Sequence, residues 1–171
     1  MAMFDNALTG YHEFVSKTID LWREMGIIKP NPYGVVLGLV ENGKIVDQLD
    51  YYFEIEGGKQ PGKWYFENAL GKAVLSAEVG LDSVEITRLH PGLSLGIDGV
   101  FPWGGAVVSD VYPIVVGVSG GAEDEDDLIG RTILAWAEMQ IDRAGRRWLD
   151  DALSRGTNQD PAAALDRFTR K

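Results

Sequence analysis

The sequence contains no cysteine, which excludes disulfides, thiolate nucleophiles, zinc ribbons and iron–sulfur ligation and is compatible with a reducing compartment. Positive charge is also scarce. Lys and Arg number 16 against 26 Asp and Glu, a net charge of −10. Over residues 1–142 the balance is 9 against 22, and only residues 143–171, with 7 against 4, reverse it. Nucleic acid requires a basic stripe to neutralise its phosphates, and the Arg residues near 143–155 are interleaved with Asp150 and Asp151, so no nucleic-acid partner is expected. No apolar run approaches the ~18 residues of a membrane span, and "MAMFDNALTGYHEF" lacks the basic-then-apolar order of a secretion signal. The expectation is a cytoplasmic protein with no membrane partner.

What is present is an ordinary globular composition: 171 residues, 45% hydrophobic and 25% charged. A chain of this size buries about two-thirds of its unfolded surface and needs no metal to fold. Phe4, Leu8, Tyr11, Val15, Ile19 and Trp22 recur every three or four residues, which predicts a first helix ending near Gly26. "VVLGLV" and "KIVDQLDYYFEI" flank Asn42-Gly43, a pair that readily takes the positive φ of a tight hairpin. Trp64, Phe66, Leu70, Val74 and Ala77 outline a second helix, ended by Gly80. "SVEITRL" (83–89) alternates like a strand, and a Gly- and Pro-rich loop follows to residue 103. "AVVSD" and "YPIVVGVS" predict a second hairpin, and a third helix runs from about Ala122 to Arg143. This order favours an α+β domain over 1–142 with a mainly antiparallel sheet. Residues 143–171 read as a helical C-terminal extension, with one short helix around Trp148 and Leu153 and another capped by Asp160 and Pro161. That extension is too short to fold alone and must pack on the body or on a neighbouring subunit, or fray.

The junction "SGGAEDEDD" (119–127) has the glycines of a phosphate cradle, but five carboxylates oppose an anion there. An EF-hand would need a bidentate Glu at its twelfth position, which counted from Asp124 is Ala135. Acids in a first helical turn instead meet the positive end of the helix dipole.

The same junction carries a resemblance. "VVGVSGGAEDEDDLIGRTILAWA" resembles the C-terminal strand–helix signature of the GlcG/HbpS-like family, and "ENALGKAVLSAEVG" resembles that family's helix, with Lys72, Ala73, Ala77 and Gly80 in matching places. "HPGL" and "FPWGGAVV" resemble its Pro-Gly-Leu and Pro-Gly-Gly elements, so the match spans roughly 34–142 in order. Trp103 is inserted between Pro102 and Gly104, and Val107 and Glu123 stand where prolines are usual. The resemblance implies a profilin-like fold, with a five-stranded antiparallel sheet flanked by helices on both faces, and self-association into dimers or larger rings. Family members include haem-binding and haem-degrading proteins and the C-terminal module of PduO-type cobalamin adenosyltransferases.

The leading expectation is therefore a small-molecule-binding homo-oligomer, with haem or another tetrapyrrole as the ligand the resemblance implies. Haem usually takes one axial His or Tyr. His12 lies at the edge of the first helix's apolar face, with Tyr11 beside it; it is either a ligand or a half-exposed helical histidine. Phe101, Trp103 and Tyr112 cluster around Gly104-Gly105, as packing or as the wall of a pocket for a flat ligand. Two alternatives stand beside it. One is a cofactor-independent isomerase, lyase or hydratase with His90, before the Pro91-Gly92 turn, as base and Asp98 as its partner. The other is a structural subunit whose Arg-rich tail docks on an acidic neighbour. No metal-ligand spacing and no nucleophile–base–orienter set is present.

Overall fold

A computed structural model describes residues 7–56, 58–90 and 104–154, with the side chains of 148, 149 and 151–154 left aside. The elements are helix α1 (Tyr11–Glu24), strands β1 (Gly34–Glu41) and β2 (Lys44–Phe53), helices α2 (Gly62–Val79) and α3 (Ser83–Leu89), strands β3 (Ala106–Val108) and β4 (Ile114–Ser119), and helix α4 (Glu123–Ser154). The strands form one antiparallel sheet in the order β2-β1-β4-β3. The α+β architecture agrees with the sequence reading. Among the described residues the sheet has four strands, against the five implied by the resemblance.

Both faces are covered, and alternation along β1 assigns them. Val35 and Leu37 join Val116 and Val118 under α1 and α4, whose buried residues Tyr11, Val15, Ile19 and Ile129, Ile133, Ala137, Ile141 keep helical spacing. Each fully buried Ile or Val contributes about 1.5–3 kcal/mol. Val36 and Val115 face the other way, onto Ala69, Ala73 and Ala77 of α2. That helix lies directly on the sheet backbone, because a Cβ at Gly117 would come within 2.2 Å of the Ala69 carbonyl. The first hairpin closes as expected, with Asn42 and Gly43 at φ 51 and 73, and α2 ends at a left-handed Gly80, φ 74.

Two expectations are corrected. Residues 83–89 are a helix, not a strand. Buried Ser83 and Ile86 lie three apart, Val84 is exposed and Thr87 Oγ1 donates back to the Ser83 carbonyl, so the β-branched alternation has no second face to bury. The third helix does not stop at Arg143 but continues unbroken to Ser154. Its Gly145 costs about 1 kcal/mol relative to Ala, and Ile141 and Ala144 still pack on the core. The short helix expected around Trp148 and Leu153 is the last part of this one, and the helix expected from Asp160 and Pro161 lies outside the described residues.

Candidate functional site

The acid-rich junction is a closed polar cluster. Lys72, on α2, is 4% exposed, and its ammonium has three donors. They reach the Gly104 carbonyl at 2.8 Å, the Val118 carbonyl at 3.1 Å and Asp126 Oδ2 at 3.0 Å. Asp126 Oδ1 accepts the Gly121 N–H at 2.8 Å, and Glu125 accepts that of Ala122 at 2.9 Å. The amides a phosphate would need are thus taken by the chain's own carboxylates. Burial pushes the Asp126 carboxyl above its ordinary range, against the pull of Lys72 and the Gly121 N–H. Gly104 and Gly105 belong to this cluster: a Cβ on Gly104 would meet Glu123 Cγ at 2.5 Å, and one on Gly105 the Asp126 Cβ at 2.6 Å. The space their missing side chains leave is filled by α4.

An open cleft lies elsewhere, between α1 and the end of β2. It encloses about 640 Å³, within the roughly 300–1,000 Å³ of small-ligand sites. Along α1, His12, Ser16, Asp20 and Arg23 follow one another by four, four and three residues and all line it; at helical pitch that spacing makes one polar stripe beside the apolar one. Pro30, Pro32, Phe53 and Ile55 give it an apolar wall. The floor is an ion pair. Arg23 meets Glu54 Oε1 at 2.5 Å, donates to the Asn31 carbonyl at 2.5 Å and lies 5.4 Å over the Tyr33 ring. Glu54 Oε2 accepts the Tyr33 N–H at 3.2 Å. Burial opposes the Arg23 charge but Glu54 outweighs it, and the net shift is upward.

The sequence candidates are dispersed. His12 is exposed at the cleft, its ring edge-on to Tyr52 at 5.1 Å. Tyr11 points the other way into the core, fully buried with its ring 6.1 Å from that of Trp136. Tyr112 is buried beneath α4, where its hydroxyl donates to Asp142, and burial followed by that carboxylate raises it to about 12. His90 ends α3, exposed, with its N–H on the Ile86 carbonyl at 2.7 Å, and lines neither the cleft nor the smaller α1/α4 groove at Phe14 and Trp136. Asp98, Phe101 and Trp103 lie outside the described residues. Sequence reasoning missed Arg23, Asp20, Ser16 and Glu54; the signal for three of them was the four-four-three polar spacing after His12. Among the described residues no group of three His, Asp or Glu could hold a metal, and no helix is long and apolar enough to cross a membrane.

No family model matches the sequence, and no curated protein matches it significantly. Among solved structures, the Klebsiella pneumoniae protein ORFY, of family model DUF336, superposes with a TM-score of 0.51 at 22% identity, over 78% of this chain and 89% of that one. The chain shares that protein's fold. HbpS (TM-score 0.49, 19% identity, 77% of this chain and 86% of that one) and a double mutant of Streptomyces reticuli HbpS (0.49, 18%, 77% and 84%) are similar as well. The fold shared with the DUF336 protein is consistent with the GlcG/HbpS-like resemblance read from the sequence.

Proposed function

We propose that the protein binds a small organic molecule in the α1/β2 cleft. The carrying observation is convergence: imidazole, hydroxyl, carboxylate and guanidinium groups from one helix and one strand end meet over an apolar wall in about 640 Å³. Haem, which the resemblance implies, is not matched by this lining. His12 and the prolines suit an iron ligand and a flat face, but two propionates would meet Asp20, Glu54 and Glu56, with Arg23 already committed to Glu54. Self-association, also implied by the resemblance, is supported by the position of β2 at the sheet edge among the described residues and by the exposed Tyr51 on it; light scattering reads it directly.

The test is a fragment screen by two-dimensional NMR on the full chain. Shifts should map to Ser16, Asp20, Tyr52 and Glu54 and vanish in a Ser16→Trp protein, whose indole fills the cleft. Shifts confined to Phe14, Trp136 and Gln140, or unaffected by that substitution, would move the site elsewhere. A haemin titration beside it should give no saturable Soret shift dependent on His12.

A further inference from the structure

We infer that the cleft selects a small organic cation with an aromatic or apolar body; this rests on the cleft being the ligand site. The argument is a charge count over its lining. Arg23 is the cleft's lysine-or-arginine cation, and it is neutralised: one terminal nitrogen is held by Glu54, the other by the Asn31 carbonyl. Nε is buried without a partner, and although the terminal nitrogens keep further N–H groups, the single positive charge of Arg23 is already matched by Glu54.

Two carboxylates are left over. Asp20 is 60% exposed and pairs with Arg23 only at 3.6 Å, against 2.5 Å for Glu54, so Asp20 and Glu54 share one cation and an excess of negative charge remains. Glu56 is exposed at the opposite rim and makes no ion pair among the described residues. Their field adds to that of a chain of net charge −10, which concentrates cations and repels anions before contact. The wall between them is Pro30, Pro32, Phe53 and Ile55, with Ile55 63% exposed. Such a wall removes apolar surface from water while the carboxylates hold a charged end. An ammonium group therefore meets an excess of carboxylates here, and a carboxylate or phosphate is repelled by the same excess.

The experiment uses three probes of one shape and different charge, benzylamine, benzyl alcohol and benzoate, titrated into the full chain at neutral pH and low salt and followed at Ser16, Tyr52 and Glu54. Benzylammonium should bind at least about tenfold more tightly than benzoate, with the alcohol between, and salt should shrink the gap. Glu56→Gln and, separately, Asp20→Asn should each narrow it about threefold. Both sites are exposed, so the variants should fold, which circular dichroism would check. Equal binding of the three, or a preference for benzoate, overturns the charge selection and leaves the cleft a ligand site. If no probe perturbs the cleft residues, both readings fall.

Discussion

Two ion pairs with similar chemistry behave differently because one is sealed and the other is not. In the Lys72–Asp126 cluster both side chains are about 95% buried and every ammonium donor has an acceptor inside the protein. Nothing is left for a ligand, and the pair fixes α2 and the start of α4 against the β4 turn. In the Arg23–Glu54 pair the side chains are 22% and 18% exposed, and the carboxylates of Asp20 and Glu56 nearby face solvent. The charge is balanced locally but not over the cleft. A polar cluster whose valences are all filled works as structure, whereas one with a remainder at the surface is available to a partner.

Breaking the sealed pair should have the largest effect. Lys72→Met strands a buried carboxylate and should cost about 3–5 kcal/mol in urea unfolding, whereas Lys72→Met with Asp126→Leu should recover much of that loss. A double variant as unstable as the single would show that the pair's value is not the avoided buried charge. The upward shift of Asp126 sets a sign for pH. The folded state holds this proton more tightly than the unfolded one, so its contribution to stability falls as pH rises from the ordinary value of 3.8 to the raised one. Asp126→Asn should flatten that part of the profile.

Pressing on the same cluster from its lining should be the next most costly. Gly105→Ala places a Cβ 2.6 Å from both Asp126 Cβ and the Val118 carbonyl at φ 111, a clash combined with backbone strain worth about 2 kcal/mol. A loss below about 0.5 kcal/mol would mean that the cluster is loose. Opening the less deeply buried Arg23–Glu54 pair should cost less. Arg23→Met should remove about 1–2 kcal/mol, and it should widen the preference of the cleft for benzylammonium because Glu54 is then uncompensated. The smallest effect belongs to a polar contact outside both clusters. Tyr112 is neutral in the folded protein up to about pH 12 against an ordinary 10, so the unfolded state ionises first and stability falls between those values. Tyr112→Phe should lack that alkaline decline in a thermal-unfolding series.

Legibility in the sequence followed the range of the physics. The first hairpin, α1 and α2 were readable because Asn42-Gly43, Gly80 and the spacing of Tyr11, Val15 and Ile19 act over a few residues. The 83–89 segment was misread since Val84, Ile86 and Thr87 favour a strand locally, and only the position of Asp82, whose carboxylate holds Val108 N–H and Arg131 across the fold, gives the segment its helical place. His12 was visible as a boundary residue, but Asp20 and Arg23 looked like ordinary exposed charges until β2 brought Glu54 and Phe53 opposite them.

Composition and periodicity by themselves determined the α+β class, the antiparallel pairing, the first-turn acids of α4 and the exclusion of thiolate chemistry, because each depends on residue type or on neighbours within a turn or two. Tertiary structure alone decided which acids became structure and which stayed available. Asp126 and Glu56 are both carboxylates in acidic stretches; one meets Lys72 from 54 residues away and is sealed, while the other stands at the mouth of a cleft. Burial and pairing are properties of the packed chain, and they set what a charge can do.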